Sequence, residues 1–118
     1  IYRWHLQHNI ADLMEMMGGR EVFARYLDEM FRTPLPMEKR AYWHLFPDHG
    51  ANMGMFSMSN EPCMHIPYLY NYAGQPWKTQ KMVRTVLDMW FRNDLMGVPG
   101  DEDGGGLSAF VVFSMMGV

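Results

Sequence analysis

Three carboxylates crowd into a single turn of this chain, Pro99-Gly100-Asp101-Glu102-Asp103-Gly104-Gly105-Gly106. The glycines that follow Asp103 permit backbone conformations forbidden by a Cβ and let a ligand come close. Asp101 and Asp103, one residue apart, can aim two charged oxygens at one small volume. That arrangement suits a water activator, a clamp on a sugar hydroxyl or a hard metal ion. An acidic surface turn is the plain alternative, since Asp and Gly favour turns for conformational reasons alone. The EF-hand pattern fails: with Asp101 as its first or third position, the closing bidentate Glu would have to be Val112 or Phe110. A calcium loop of another kind stays open.

A second constellation lies upstream, where Asn60-Glu61-Pro62 is followed by His65, Tyr68, Tyr70, Asn71 and Tyr72. Pro62 stiffens the backbone beside Glu61 and limits how far its carboxylate wanders, so Glu61 with Asn60 makes a good ligand holder. Read as structure alone, Glu61 is a helix N-terminal charge or a partner for an arginine. His65, between Met64 and Ile66, fits a hydrogen-bonded core position as well as a substrate contact. Asn71 offers an amide. Trp77 offers a stacking face for a sugar, or simple packing at a helix start. Tyr68, Tyr70 and Tyr72 alternate and cannot share one helical face. Carboxylates in two loops, with amides and aromatics between them, match the needs of glycoside hydrolysis: an acid for the leaving oxygen, a base or nucleophile opposite, and groups that hold hydroxyls. Neither Ser108 nor Cys63 sits in a nucleophile motif.

These loops need elements to hold them. Ile10, Leu13, Met14 and Met17 recur at helical spacing, and Gly18-Gly19 supplies a stop. Phe23, Tyr26, Leu27, Met30 and Phe31 predict a second helix over Arg20–Arg32, ended by Pro34 and Pro36. Gln75-Pro76 opens a third run in which Met82, Val83, Val86, Leu87, Trp90 and Phe91 share a stripe, and Val83, Leu87 and Trp90 are expected to pack internally. Leu107 to Met116 is apolar throughout and predicts a buried helix. Met37 to Ala73, rich in Pro, Gly, Asn and aromatics, reads as a long loop with short helical turns, and loops of that length inside a domain are usually functional. The fold class is all-α, as a bundle, solenoid or helical toroid with elaborate loops meeting at one end.

Composition bounds the remainder. The 118 residues suit one domain. A net charge of −3 with scattered basic residues leaves no footprint for nucleic acid. No stretch approaches the roughly 18–20 apolar residues that cross a bilayer. The lone Cys63 excludes an intrachain disulfide. The aromatic load, 4 Trp, 6 Tyr and 7 Phe, is heavy enough that some rings should face a ligand or a neighbour.

Read together, these residues resemble glycoside hydrolase family 92, the calcium-dependent inverting α-mannosidases. The resemblance rests on Asn60-Glu61-Pro62, on the block His65 to Gln80, on Gly100-Asp101-Glu102-Asp103-Gly104-Gly105 and on Ser108 to Ser114, with Tyr2-Arg3-Trp4-His5 and Met17-Gly18-Gly19 in the same order. It implies that residues 1–118 are a piece of the catalytic domain, a partial (α/α)6 toroid whose helices are joined by long active-site loops. It further implies that Asp101 and Asp103 are the aspartates that act as general base or support the attacking water. Glu61, with Asn60, would lie at the calcium, and His65, Asn71 and Trp77 would touch substrate. The family's general acid, a glutamate, would lie just upstream of Tyr2, and an N-terminal β-sandwich domain would complete the site. The implied substrates are α-mannosides or N-glycans, and the implied compartment is outside the cytoplasm of a bacterium. Gln7 and Asn9 stand where the family commonly has proline and aspartate, and Cys63 where a small polar residue is usual.

On this reading the chain alone is inactive on mannosides, because half of the acid–base pair lies elsewhere. Two other functions compete: a non-catalytic carbohydrate- or calcium-binding helical module, and an all-α interaction protein whose acidic turn is surface decoration.

Overall fold

Periodicity and punctuation set the first two helices of the computed structural model, which describes residues 2–117. Helix α1 spans Ile10–Met16 and α2 spans Arg20–Arg32. They are separated by Gly18 and Gly19, whose φ values of +102° and +94° lie where a side chain is disfavoured. Helix α2 buries Phe23, Ala24, Leu27, Met30 and Phe31. It stops where Thr33 turns its hydroxyl back to the Glu29 carbonyl, 2.7 Å away, ahead of Pro34.

The segment read as loop holds more order than its composition predicts. Helix α3, Lys39–Leu45, is capped by Glu38, whose carboxylate accepts from the Ala41 N–H at 3.1 Å. After a 3₁₀ turn at Pro47–His49, β1 (Asn52–Met53) and β2 (Phe56–Ser57) form an antiparallel hairpin in the register Asn52 with Ser57 and Met53 with Phe56. Gly54 sits in its turn at φ +59°, and a Cβ there would come within 2.6 Å of the Met30 and Phe31 backbone. The hairpin is thereby seated on the end of α2, and the Met55 N–H donates to the Met30 carbonyl at 2.9 Å. Two further 3₁₀ turns, Glu61–Cys63 and Ile66–Tyr68, lead into the one-turn α4, Leu69–Tyr72.

Helix α5, Pro76–Trp90, starts on its proline, where the missing N–H costs nothing. Its fully buried apolar residue is Val86, while Val83, Leu87 and Trp90 pack against the core and stay partly exposed. Helix α6, Gly106–Met116, turns Leu107 and Phe110 inward and leaves Val112, Phe113, Met115 and Met116 exposed. A helix apolar on every side cannot hide all of them against one neighbour. The core joins Trp4, Phe23, Leu27, Phe31, Phe56, Ile66, Tyr70 and Leu107. Within it Trp4 meets Phe23 edge-on at 5.2 Å and Phe31 meets Phe56 at 5.0 Å. The chain is mostly helical, as its periodicity predicts, with one small hairpin added. Among the described residues no helix is long and apolar enough to cross a membrane.

Candidate active site

The acidic turn is built from three successive left-handed residues: Asp103 at φ +51°, Gly104 at +67° and Gly105 at +98°. Glycine adopts this region freely, and Asp is among the few other residues that visit it, at a cost of about 1 kcal/mol. The three carboxylates do not point together. Glu102 turns towards the start of α6, where it accepts from the Ser108 N–H at 3.0 Å and from the Ser108 hydroxyl at 2.9 Å. Asp101 and Asp103, on either side of it, line a cleft of about 1090 Å³.

The adjoining wall is stitched by serines. The Ser57 hydroxyl donates to the Gly50 carbonyl at 2.7 Å, the Ser59 hydroxyl donates to the Asp48 carbonyl at 3.0 Å, and the two hydroxyls lie 3.2 Å apart. Gly100 is pressed against this wall so closely that a Cβ would stand 2.6 Å from the Ser59 carbonyl oxygen. Main chain therefore meets main chain, and the contact brings Asn60 and Glu61 onto the same cleft as Asp101 and Asp103.

His65, Asn71 and Trp77 are not among the residues that line this cleft. His65 is partly buried, with Nε2 2.8 Å from the Trp4 carbonyl oxygen. Burial lowers its pKa, against an opposing pull from backbone hydrogen bonds to Trp4, Pro62 and Leu6. Asn71 lines a separate groove of about 520 Å³ with residues of α5 and the end of α6, including Thr79, Val83 and Ser114. Trp77 stands on the first turn of α5 with 60% of its surface exposed. Cys63 is completely buried, and burial pushes its thiol up to about 11, so it holds no thiolate at neutral pH.

Sequence reasoning missed other parts of the cleft wall, among them Trp43, Asp48, Trp90 and Arg92. Trp43 rides on α3 and its indole N–H donates to Asn52 Oδ1 at 2.7 Å. Lys39 holds its ammonium 4.7 Å from the Trp43 ring and 4.9 Å from the Trp90 ring, joining the two indoles by cation–π attraction. A helical spacing of Lys39 and Trp43 was the only hint available, in a segment too short to show periodicity. Flat apolar faces beside carboxylates and an amide form a surface suited to a polyhydroxylated ring, whose C–H faces are apolar and whose hydroxyls need acceptors.

The metal expectation meets a shortage of donors. Calcium takes about six to eight oxygens, yet among the described residues no three His, Cys, Asp or Glu side chains gather where they could hold an ion. Glu61 and Asn60, both on the cleft, offer two oxygens towards such a shell, which backbone carbonyls, water or other segments would have to complete.

Comparison with known proteins follows the same lines. A structure of the family GH92 alpha-mannosidase BT3965 from Bacteroides thetaiotaomicron in complex with mannoimidazole superposes with a TM-score of 0.75 at 35% identity, over 88% of this chain and 13% of that one. A second structure of the same enzyme gives 0.74 at 35% identity, over 89% and 13%. A protein described as an uncharacterized secreted glycosidase, from Arthroderma benhamiae, is 29% identical over 116 residues, 98% of this chain and 12% of the relative. The chain thus spans only about an eighth of the length of these relatives. The family model of the glycosyl hydrolase family 92 catalytic domain matches residues 1–118, and the chain belongs to that family.

Proposed function

We propose that this chain forms one wall of the active cleft of an exo-acting α-mannosidase that hydrolyses α-mannosides or N-glycans with inversion. One observation carries the reading: two acidic loops, distant in sequence, line a single cleft through Asn60, Glu61, Asp101 and Asp103. In an inverting hydrolase a carboxylate removes a proton from water on one face of the sugar while an acid, about 6.5–9.5 Å away, protonates the leaving oxygen on the other. Asp101 and Asp103 are the candidates for the water side, one as base and the other holding the water. The acid would come from sequence preceding Tyr2, and the rest of the (α/α)6 toroid with an N-terminal β-sandwich domain would close the cleft. Calcium belongs to the whole enzyme on this reading: Glu61 and Asn60 would donate two of its oxygens, and other segments the remainder. His65, Asn71 and Trp77 would contact substrate only where the rest of that enzyme extends the binding surface. Export from a bacterial cell accords with the secreted description of the Arthroderma benhamiae relative.

The test is made in the whole enzyme. Asp101→Asn and Asp103→Asn should each lower kcat about 100- to 10,000-fold, the span typical of a lost general base, while mannose binding survives. Proton NMR of the first product should show β-mannose, and initial release of α-mannose would exclude inversion. Loss of sugar binding with unchanged turnover numbers would favour the non-catalytic carbohydrate-binding module.

A further inference from the structure

We propose that Glu102 is a positioning residue, tethering the turn so that Asp101 and Asp103 are held in their working orientation; this rests on the reading of that pair as the water-activating carboxylates. The turn is seated at its start, where Gly100 meets the Ser59 main chain, and at its end, where Gly106 lies against Met64, but its middle has less to hold it. At Gly104 and Gly105 the position of a Cβ faces open space, with no atom beyond the chain neighbours within 4 Å. Asp103, Gly104 and Gly105 all occupy the left-handed region, and a flexible glycine pair relaxes readily to other conformations. Against this stand the Gly106 N–H, which donates to the Asp103 carbonyl, and three hydrogen bonds made by Glu102. Its carbonyl accepts from the Gly105 N–H at 3.2 Å, and its two carboxylate oxygens accept from the Ser108 N–H and hydroxyl at 3.0 and 2.9 Å.

The side chain thus bridges six residues, from the middle of the acidic turn to the first turn of α6. A charged acceptor on a backbone N–H at a helix start is a strong hydrogen bond and also meets the positive end of the helix dipole. Asp101 and Asp103 are the immediate neighbours of the tethered residue. A rotation of its backbone turns both of them away from the cleft. What Glu102 supplies is reach and two acceptor positions. Glutamine has the same reach, accepting from the Ser108 N–H through its oxygen and donating to the hydroxyl through its amide. Aspartate keeps the charge and loses one methylene, so it falls short.

The experiment compares E102Q, E102D and E102A with D101N and D103N in the whole enzyme, recording kcat, KM and Tm on an aryl α-mannoside. E102D and E102A should lose about 10- to 100-fold in kcat, the scale of an ångström of misplacement, with KM changed by less than about 3-fold. E102Q should keep kcat within about 3-fold of the parent, because oriented reach rather than charge is what positions the pair. A purely structural role in α6 would lower Tm and leave kcat of the folded protein intact. Parental kcat in E102D, or an E102Q as impaired as E102D, overturns the proposal while D101N and D103N remain inactive. Parental kcat in both D101N and D103N overturns the role of the pair, and the positioning of it as well.

Discussion

At Asp28 a single carboxylate ties α2 to two other elements. It accepts from the Tyr70 hydroxyl at 2.8 Å and from the Lys78 ammonium at 2.9 and 2.7 Å, so α2, α4 and α5 share one polar joint. Burial alone would raise the Asp28 pKa, but the hydrogen bonds from Lys78 and Tyr70 and the Lys78 charge outweigh it and leave the carboxyl below its ordinary value. A depressed carboxylate stabilises the fold fully above its unfolded value of 3.8, and that contribution disappears as pH falls through the lower folded value. Asp28→Ala should cost about 1–3 kcal/mol at neutral pH, because it strands the buried Tyr70 hydroxyl and the Lys78 ammonium. Urea unfolding would measure this, and the gap between variant and parent should shrink when the titration is repeated below pH 3.8. An unchanged urea midpoint would mean that the joint contributes nothing. Such a partner set was invisible in the sequence, where Asp28 is only a charge on the polar face of α2. The same holds for His65, whose acceptor, the Trp4 carbonyl, lies 61 residues away.

Among the elements, the seat of the 99–101 loop on Ser59 controls whether the two acidic constellations share a cleft. Gly100→Ala would drive a methyl to 2.6 Å from a backbone oxygen that cannot rotate away. The expected result is destabilisation of about 1–3 kcal/mol, typical of overpacking, with kcat of the whole enzyme reduced about 10- to 100-fold as the loops part. Thermal unfolding and turnover check both; a variant with parental kcat would show that the loops can separate without consequence. Helices of ordinary length were legible beforehand. Phe23, Leu27, Met30 and Phe31 repeat over enough turns to define α2 to the residue, and Pro34 and Pro76 mark an end and a beginning. Helix α3 and the hairpin were not, because seven residues barely complete two turns and two-residue strands cannot display alternation. Consequently the indoles of Trp43 and Trp90 could not be assigned to one wall, whereas the acidic residues announced themselves by type alone.

Over the whole molecule, apolar surface is unevenly spent. Val112, Phe113, Met115 and Met116 on α6 are exposed, Met115 by 81%, and Met96 on the cleft rim by 72%. Surfaces of that kind on a chain spanning about an eighth of its relatives are candidates for burial by other segments. The isolated chain should therefore associate with itself as concentration rises and bind a hydrophobic dye, and it should release no mannose from an aryl mannoside. Size-exclusion chromatography, dye fluorescence and a mannose assay give the readouts; a monodisperse, dye-silent chain, or detectable mannose, would contradict the expectation. The meeting of Gly100 with the Ser59 main chain also bears on how such proteins diverge. Because the closest approach of the two loops is between peptide groups, substitutions of cleft-lining side chains such as Arg92 or Met96 leave that contact in place. On the proposed mannosidase reading, divergence in the sugars accepted is then free to accumulate in the lining side chains, generation after generation, while the contact between the loops keeps its measure.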